Sequence, residues 1–489
     1  MDHEYRRGQR FLWRPQFDER ECSNSMKKKI SPEKSGQVTI ARQEHGISRK
    51  LMSPNALRVL YRLKDNGFVA YFVGGCVRDL LLGREPKDFD VVTNATPGEV
   101  KRLFRNCRLV GRRFRLAHIH FHEEIIEVAT FRSQAPNEPE PEAVEQQKHG
   151  RDHRHRHPRT LKDDDGMILR DNVFGTPEED ALRRDFTVNA LAYDIADLSI
   201  IDYASGLADL GAGIIRTIGD PAVRFQEDPV RMLRAVRFAA QLGFTMAEET
   251  GKALIAAADT IVRSSPPRLY EEMLKILLSG EGAKCCDLLR QSGLFAALFP
   301  VFSAWLDAES EGFPHTRFGE MLSRIDSSVQ QRDTISQPLL LALLFGEYLD
   351  EKAANFRSNG LPWQQSVDAA TAEFMGEVCP FVQIPNRVGV ALRDIIAQQS
   401  RLKQIPGRRP QAFIASKDFS DIIEYCRITR GGKKDVAGRL EWWLTQAAQH
   451  ESVPLSERTE EIEAPKPKKR RRRRKSPGKR GINKQPAAL

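Results

Sequence analysis

The chain has 489 residues, 40% hydrophobic and 29% charged, a balance that suits a soluble protein of roughly two to four domains with sizeable cores. No apolar run approaches the ~18 residues of a membrane-spanning helix, and the polar start Met1-Asp2-His3-Glu4-Tyr5-Arg6-Arg7 lacks the apolar core of a secretory signal. The formal net charge of +10 is uneven, because residues 465–489 carry 12 Lys and Arg and no acid, which leaves −2 for residues 1–464.

Residues 1–50 read as a polar N-terminal extension of poor order. Ser53-Pro54-Asn55 starts a helix that runs to Asp65 and stops at Asn66-Gly67. Val69 to Val73 is a buried strand that ends in Gly74-Gly75, and Val77 to Leu82 is a helix closed by Gly83. Phe89 to Val92 is an acid-bearing strand, and Thr96-Pro97-Gly98-Glu99 caps a helix through Phe104. Strands follow near Leu116–Phe121 and Ile125–Phe131.

A Pro-, Glu- and His-rich break spans residues 133–165, and its His153-Arg154-His155-Arg156-His157 tract reads as a solvated loop rather than a metal site. A helix is expected over 178–195, and from about residue 206 the pattern is helical. There Arg231, Arg234 and Arg237 share one face, and Val230, Leu233 and Val236 form an apolar stripe on another. The tail, with Arg470, Arg471, Arg472, Arg473 and Arg474 in one run, repels itself into disorder and attracts the phosphate backbones of nucleic acid, the alternative being a merely solubilising tail. The seven cysteines are scattered without C-x-x-C spacing, which argues against disulfides and zinc and for a reducing cytoplasm.

Chemistry concentrates in three clusters. In the first, Gly74-Gly75 precedes Arg78-Asp79, and Asp88-Phe89-Asp90 follows. Glycine lets the backbone approach a phosphate closely, and amides at a turn leading into a helix bind phosphate oxygens. On a strand, acids two apart share a face, and Asp88 and Asp90 so placed can hold Mg²⁺ against a triphosphate. Two ions would serve the chemistry, with Glu127 as the natural third acid because a charge in an apolar strand is costly unless paired or ligating.

The second cluster is Arg183-Arg184-Asp185-Phe186-Thr187-Val188-Asn189. Its arginines suit phosphate, while Asp185 could hold an arginine, bond a ribose or approach the metals. In the third, Glu227-Asp228-Pro229-Val230-Arg231, Asp228 and Arg231 lie three apart on one helix face, where a carboxylate and a guanidinium together can read a base edge.

In this order the motifs resemble class II nucleotidyltransferases, the group of bacterial poly(A) polymerases and CCA-adding tRNA nucleotidyltransferases. The segments Asp209 to Arg216 and Pro267-Arg268-Leu269 through Glu272 and Lys275 extend the resemblance, which covers roughly residues 40–300. It implies an α/β nucleotidyltransferase head with a mixed sheet (51–205), a helical neck that selects the nucleotide (206–275), an all-α RNA-binding body (276–455) and a disordered basic tail (456–489). It also implies metal binding by Asp88, Asp90 and Glu127 and a catalytic role for Asp185. The nucleotide set it implies is Gly74, Gly75, Arg78, Asp79, Arg183, Arg184, Asn189, Asp228, Arg231 and Arg234.

Phe104 to His118, Glu44 to Lys50 and the basic tail resemble the poly(A) polymerase branch. The implied reaction is template-independent addition of AMP from ATP to RNA 3′ ends, in the company of RNA-processing or RNA-decay proteins. The rival readings are a CCA-adding enzyme and a catalytically silent RNA-binding protein. Retention of all the acids argues against the silent one.

Overall fold

A computed structural model describes residues 37–452, apart from 112–114, 123, 134–160, 163–167, 171–173, 309–315, 407–409 and 431–433. The His tract and the Arg470–Arg474 run lie outside the described residues. The chain forms two compact units, one up to Ala397 and one from Gln398, a division that falls inside the stretch 276–455.

The first unit opens with a mixed sheet. Its strands are β1 (Val38–Ile40), β2 (Ala70–Val73), β3 (Asp90–Thr93), β4 (Cys107–Val110), β5 (Leu116–His120) and β6 (Ile125–Thr130), with β9 (Ala192–Asp194) and β10 (Ile200–Asp202) added after a small separate pair, β7 (Leu161–Lys162) and β8 (Ile168–Arg170). The spatial order is β1-β10-β9-β2-β3-β6-β5-β4. Only β3 and β6 run parallel; the other neighbours are antiparallel.

Helix α1 (Pro54–Asp65) starts where Ser53 Oγ accepts from Ala56 N with Pro54 in the first turn, and it ends at Asn66 before Gly67 at φ +82°. Helix α2 (Gly75–Leu81) follows Gly74, whose φ of +77° favours glycine. Helix α3 (Pro97–Leu103) carries a reciprocal Thr96–Glu99 capping box. α1 and α3 cover one face of the sheet, burying Val59, Leu60, Leu63 and Val100 with Ile119, Ile126 and Val128. The alternation of β5 and β6 turns the opposite residues outward, and from β6 to the edge strand β4 the second face is left open by the described residues.

Several expectations need correction. Residues 37–50 are part of the head: β1 pairs with β10, His45 Nε2 meets Leu198 O at 2.8 Å, and Ile47 is buried. The 133–165 break contains β7. The helix expected over 178–195 is only α4 (Pro177–Leu182), after which the chain makes a 3-10 turn at Thr187–Asn189 and enters β9. Tertiary bonds override helix propensity there, because Thr187 Oγ1 donates to Asp209 Oδ2 at 2.7 Å and Asn189 Oδ1 accepts from Arg78 at 2.7 Å. Finally, β3 begins at Asp90, so Asp88 lies in the loop before the strand.

Helices α5 (Gly206–Ala212), α6 (Pro221–Glu227), α7 (Val230–Leu242), α8 (Glu248–Ala257) and α9 (Pro266–Leu277) continue the first unit, with one short parallel pair between Ile214–Ile215 and Thr245–Met246. The stripe Val230, Leu233 and Val236 of α7 is buried, as its spacing requires. Beyond α9, the helix Gln337–Ser358 buries its Leu339–Leu344 run against Trp363–Val378, around an aromatic core that includes Phe302, Phe345 and Phe374. In the second unit Phe413, Phe419 and fully buried Trp443 pack together. Among the described residues no helix is long and apolar enough to cross a membrane.

Candidate active site

A cavity of about 830 Å³ opens where α2, the loop before β3, the Arg183–Asn189 turn, α7 and α9 converge. Its lining includes nine cationic and six acidic side chains, an arrangement suited to a polyanion that travels with cations. The glycine turn forms one wall. A Cβ on Gly74 would stand 3.1 Å from Arg184 Nη1, so the guanidinium lies against bare backbone. Gly74 N itself donates to Leu191 O.

Asp88 and Asp90 flank Phe89, which is buried against Phe72 at a centroid distance of 5.2 Å, and both acids line the cavity. Neither carboxylate has a hydrogen-bond or ion-pair partner among the described residues. Asp90 is accessible yet set in a concavity of protein. Partial removal from water, together with the charges of Glu127 and Asp88, holds its carboxyl above the usual carboxylate range against the pull of Arg184 and Arg234. Crowded, unbonded acids of this kind suit a cation.

Glu127 faces Asp90 across the parallel β3–β6 register but leans to His118, 3.4 Å from Nε2. It is not part of the cavity lining. Among the described residues no group of three or more His, Cys, Asp or Glu forms a metal cage. Mg²⁺ needs only one or two carboxylates, with water and substrate phosphates for the rest, so the Asp88–Asp90 pair fits it.

Asp185 is committed elsewhere. Its Oδ2 accepts from Arg234 Nε at 2.6 Å, and its Oδ1 accepts from Phe186 N at 2.9 Å and Asn189 Nδ2 at 3.4 Å. Burial alone would raise its carboxyl, but the Arg234 charge and hydrogen bond, with Arg231 and Asn189, outweigh burial and hold it below the usual range. Of the three roles open in the sequence, the structure shows the first, an arginine held in place.

Arg78 is likewise internal. It donates to Asp79 Oδ1 at 2.8 Å and Asn189 Oδ1 at 2.7 Å, which ties α2 to the Arg183–Asn189 turn. Arg184 pairs with Asp180 at 3.1 Å and still reaches the cavity. Burial, then the charges of Arg132, Arg224, Arg231 and Arg184, pushes Arg183 down to about 9. Arg183 itself does not line the cavity. Arg224 donates to the carbonyls of Arg183 and Arg184 and to Glu227, fastening α6 under the same turn.

On α7 and α9 the pairing continues. Arg268 clasps Asp228 through two bonds of 2.9 and 3.0 Å, and Arg231 Nη1 donates to Arg224 O at 2.8 Å. Arg237 pairs with Glu272 at 2.7 Å. The sequence reading missed Phe238, whose ring lies beneath the guanidiniums of Arg237, Arg78 and Arg234 at 4.4, 5.2 and 5.4 Å. It also missed Arg84 and Gln241. The spacing Arg231, Arg234, Phe238, Gln241 is that of one helix face and was the available signal.

The chain matches three family descriptions: "Poly A polymerase head domain" over residues 70–216, "Probable RNA and SrmB- binding site of polymerase A" over 243–306, and "Polymerase A arginine-rich C-terminus" over 359–477. It is 41% identical to "Poly(A) polymerase I" of Salmonella typhi over 408 residues, covering 83% of this chain and 84% of that protein. Against "Poly(A) polymerase I" of Haemophilus influenzae it is 40% identical over 405 residues, 81% of this chain and 85% of the relative. "CCA-adding enzyme" of Bacillus velezensis aligns more narrowly, 35% identical over 263 residues, 53% of this chain and 59% of the other. Among solved structures, the Bacillus stearothermophilus CCA-adding enzyme in complex with CTP superposes with a TM-score of 0.52 at 27% identity, covering 81% of this chain and 83% of that one.

Fold and cavity together define a nucleotidyltransferase, a mixed-sheet head followed by helices. Within that class the chain belongs to the bacterial poly(A) polymerase I family. It is a template-independent polynucleotide adenylyltransferase, with ATP as substrate and RNA as the molecule it binds and extends.

Proposed function

We propose that the cavity is where AMP passes from ATP to an RNA 3′-hydroxyl, with release of pyrophosphate. The observation that carries this reading is the meeting of the unbonded Asp88–Asp90 pair with the glycine turn and the arginines of α7 in one cavity. Asp88 and Asp90 would hold Mg²⁺, which supplies charge neutralisation of the triphosphate and activation of the attacking hydroxyl. Glu127, beside Asp90 in register, stands ready as the third acid.

The triphosphate lies over Gly74-Gly75, with Arg184 and Arg234 offering guanidinium donors and Asp185 fixing the angle of Arg234. Arg78, Asp79 and Asn189 brace that wall from behind. Asp228 and Arg231 select the base. Arg268 orients the Asp228 carboxylate, so that a single adenine-reading geometry is held in advance. The Arg470–Arg474 run supplies backbone attraction that ignores RNA sequence. The buried thiols Cys76, Cys107, Cys285 and Cys286 accord with a reducing cytoplasm as the place of action, and RNA-processing or decay proteins that meet the same 3′ ends are the natural partners.

Asp88→Ala and Asp90→Ala are each expected to reduce AMP incorporation by at least about a thousandfold with the circular dichroism spectrum unchanged. Wild-type rates in both variants would remove the assignment.

A further inference from the structure

A row of polar side chains crosses the open face of the head sheet. Arg108 on the edge strand β4 is the register partner of His118 on β5, His118 of Glu127 on β6, and Glu127 of Asp90 on β3. Register partners project from the same face, so the four lie in one line, three strand spacings or roughly 14 Å from the edge to the catalytic acid. The opposite face carries the buried residues Ile119, Ile126 and Val128. On the open face Ile125 is 51% exposed, and His120 stands beside it in register.

The face has the composition of a nucleic-acid platform. The His118 and His120 rings lie 6.4 Å apart, and the His120 ring has no hydrogen-bond partner among the described residues. Arg108 is exposed and makes no ion pair among them. Imidazole rings on an open sheet can stack unpaired bases, an exposed Ile adds apolar contact, and an unpaired arginine at the rim takes a phosphate.

We infer that the β4–β5–β6 face is the track on which the last single-stranded nucleotides of the RNA lie, entering over Arg108 and stacking at His120 and His118 on the way to Asp90. Continuity with the catalytic pair selects this occupant, since the row ends at the acid that must meet the 3′-hydroxyl. So does charge, which is positive at the edge and turns negative from Glu127, 3.4 Å from His118, to Asp90. Nothing in the row reads base identity, as an enzyme that extends arbitrary 3′ ends requires. The inference rests on the proposed role of Asp90 for its direction, but not for its binding surface.

The test uses the full chain and a single-stranded RNA of mixed sequence. His120→Ala is expected to raise the RNA KM about tenfold, with the KM for ATP within about twofold. His120→Phe, which keeps a stacking ring, should recover the RNA KM to within about threefold of wild type. Arg108→Gln should lower the slope of log affinity against log salt by about 0.7. A 4-thiouridine placed two nucleotides from the 3′ end should photocross-link to β5 in the Asp90→Asn variant as well, so binding is scored without turnover. An RNA KM within about twofold in His120→Ala would overturn the proposal. So would cross-links confined to α9. Loss of protease protection of the 133–165 insert in His120→Ala, without change in RNA KM, would likewise overturn it by showing this chain's own insert to be the occupant.

Discussion

Asp90 and Asp185 are both carboxylates in one cavity, and their surroundings drive them apart. Asp90 has two acids for neighbours and no bonded partner among the described residues, an environment that suits a cation. Asp185 has Arg234 and is structural in its own right. Its depressed carboxyl contributes stability that is fully present above the unfolded value of about 3.9 and is lost as pH falls through the lower folded value. Asp185→Asn should therefore cost about 2 kcal/mol at pH 7 in urea unfolding, because the half-buried Arg234 loses its counter-charge while keeping some access to water, and the deficit should narrow as pH falls below about 4. An equal deficit at both pH values would refute the charge-pair explanation. The residues around Asp185 left three roles open and the resemblance implied a catalytic one; its bond to Arg234 was not legible, since Arg234 lies 49 residues away and no local spacing reports such a bond.

At the scale of elements, helix caps and glycine stops were legible because their signals are local. Ser53, Thr96 and Gly67 act where the sequence indicates. The Thr187–Asn189 turn was not legible, because its conformation is set by Asp209 and Arg78 from other elements. The same turn explains why α5 must start with glycine: a Cβ on Gly206 would lie 2.2 Å from Thr187 O. Five residues along the same helix, Gly211 has open space around its Cβ position. Gly206→Ala should cost about 2 kcal/mol or more, whereas Gly211→Ala should be neutral or stabilise by up to about 1 kcal/mol. Chemical denaturation of the two variants checks this, and similar costs at both positions would contradict the close approach of α5 to the turn.

Across the whole molecule, the ordered motifs from Gly74 to Lys275 carried the reading, because all of them except Asp209–Arg216 contribute residues to the lining of one cavity. What the sequence hid is the outer sheet. β1 joins the head through β10, a pairing across about 160 residues that leaves no local trace in a polar segment. The basic tail belongs to this scale too. Removing residues 453–489, which hold 13 of the 76 Lys and Arg, should weaken single-stranded RNA binding and flatten its salt dependence, while the KM for ATP stays put. Fluorescence anisotropy across a salt series measures this, and an unchanged slope would assign RNA attraction to residues 1–452 alone.

Template-free addition of adenylate to RNA by this cavity can be measured directly. Purified full-length protein, Mg²⁺ and one labelled RNA with a free 3′-hydroxyl, unrelated to tRNA, should be incubated with ATP alone, CTP alone, or both. A long ladder with ATP alone, absent in Asp90→Asn, is the result expected. Addition limited to C, C and A on a trimmed tRNA, with the unrelated RNA left untouched, would contradict it.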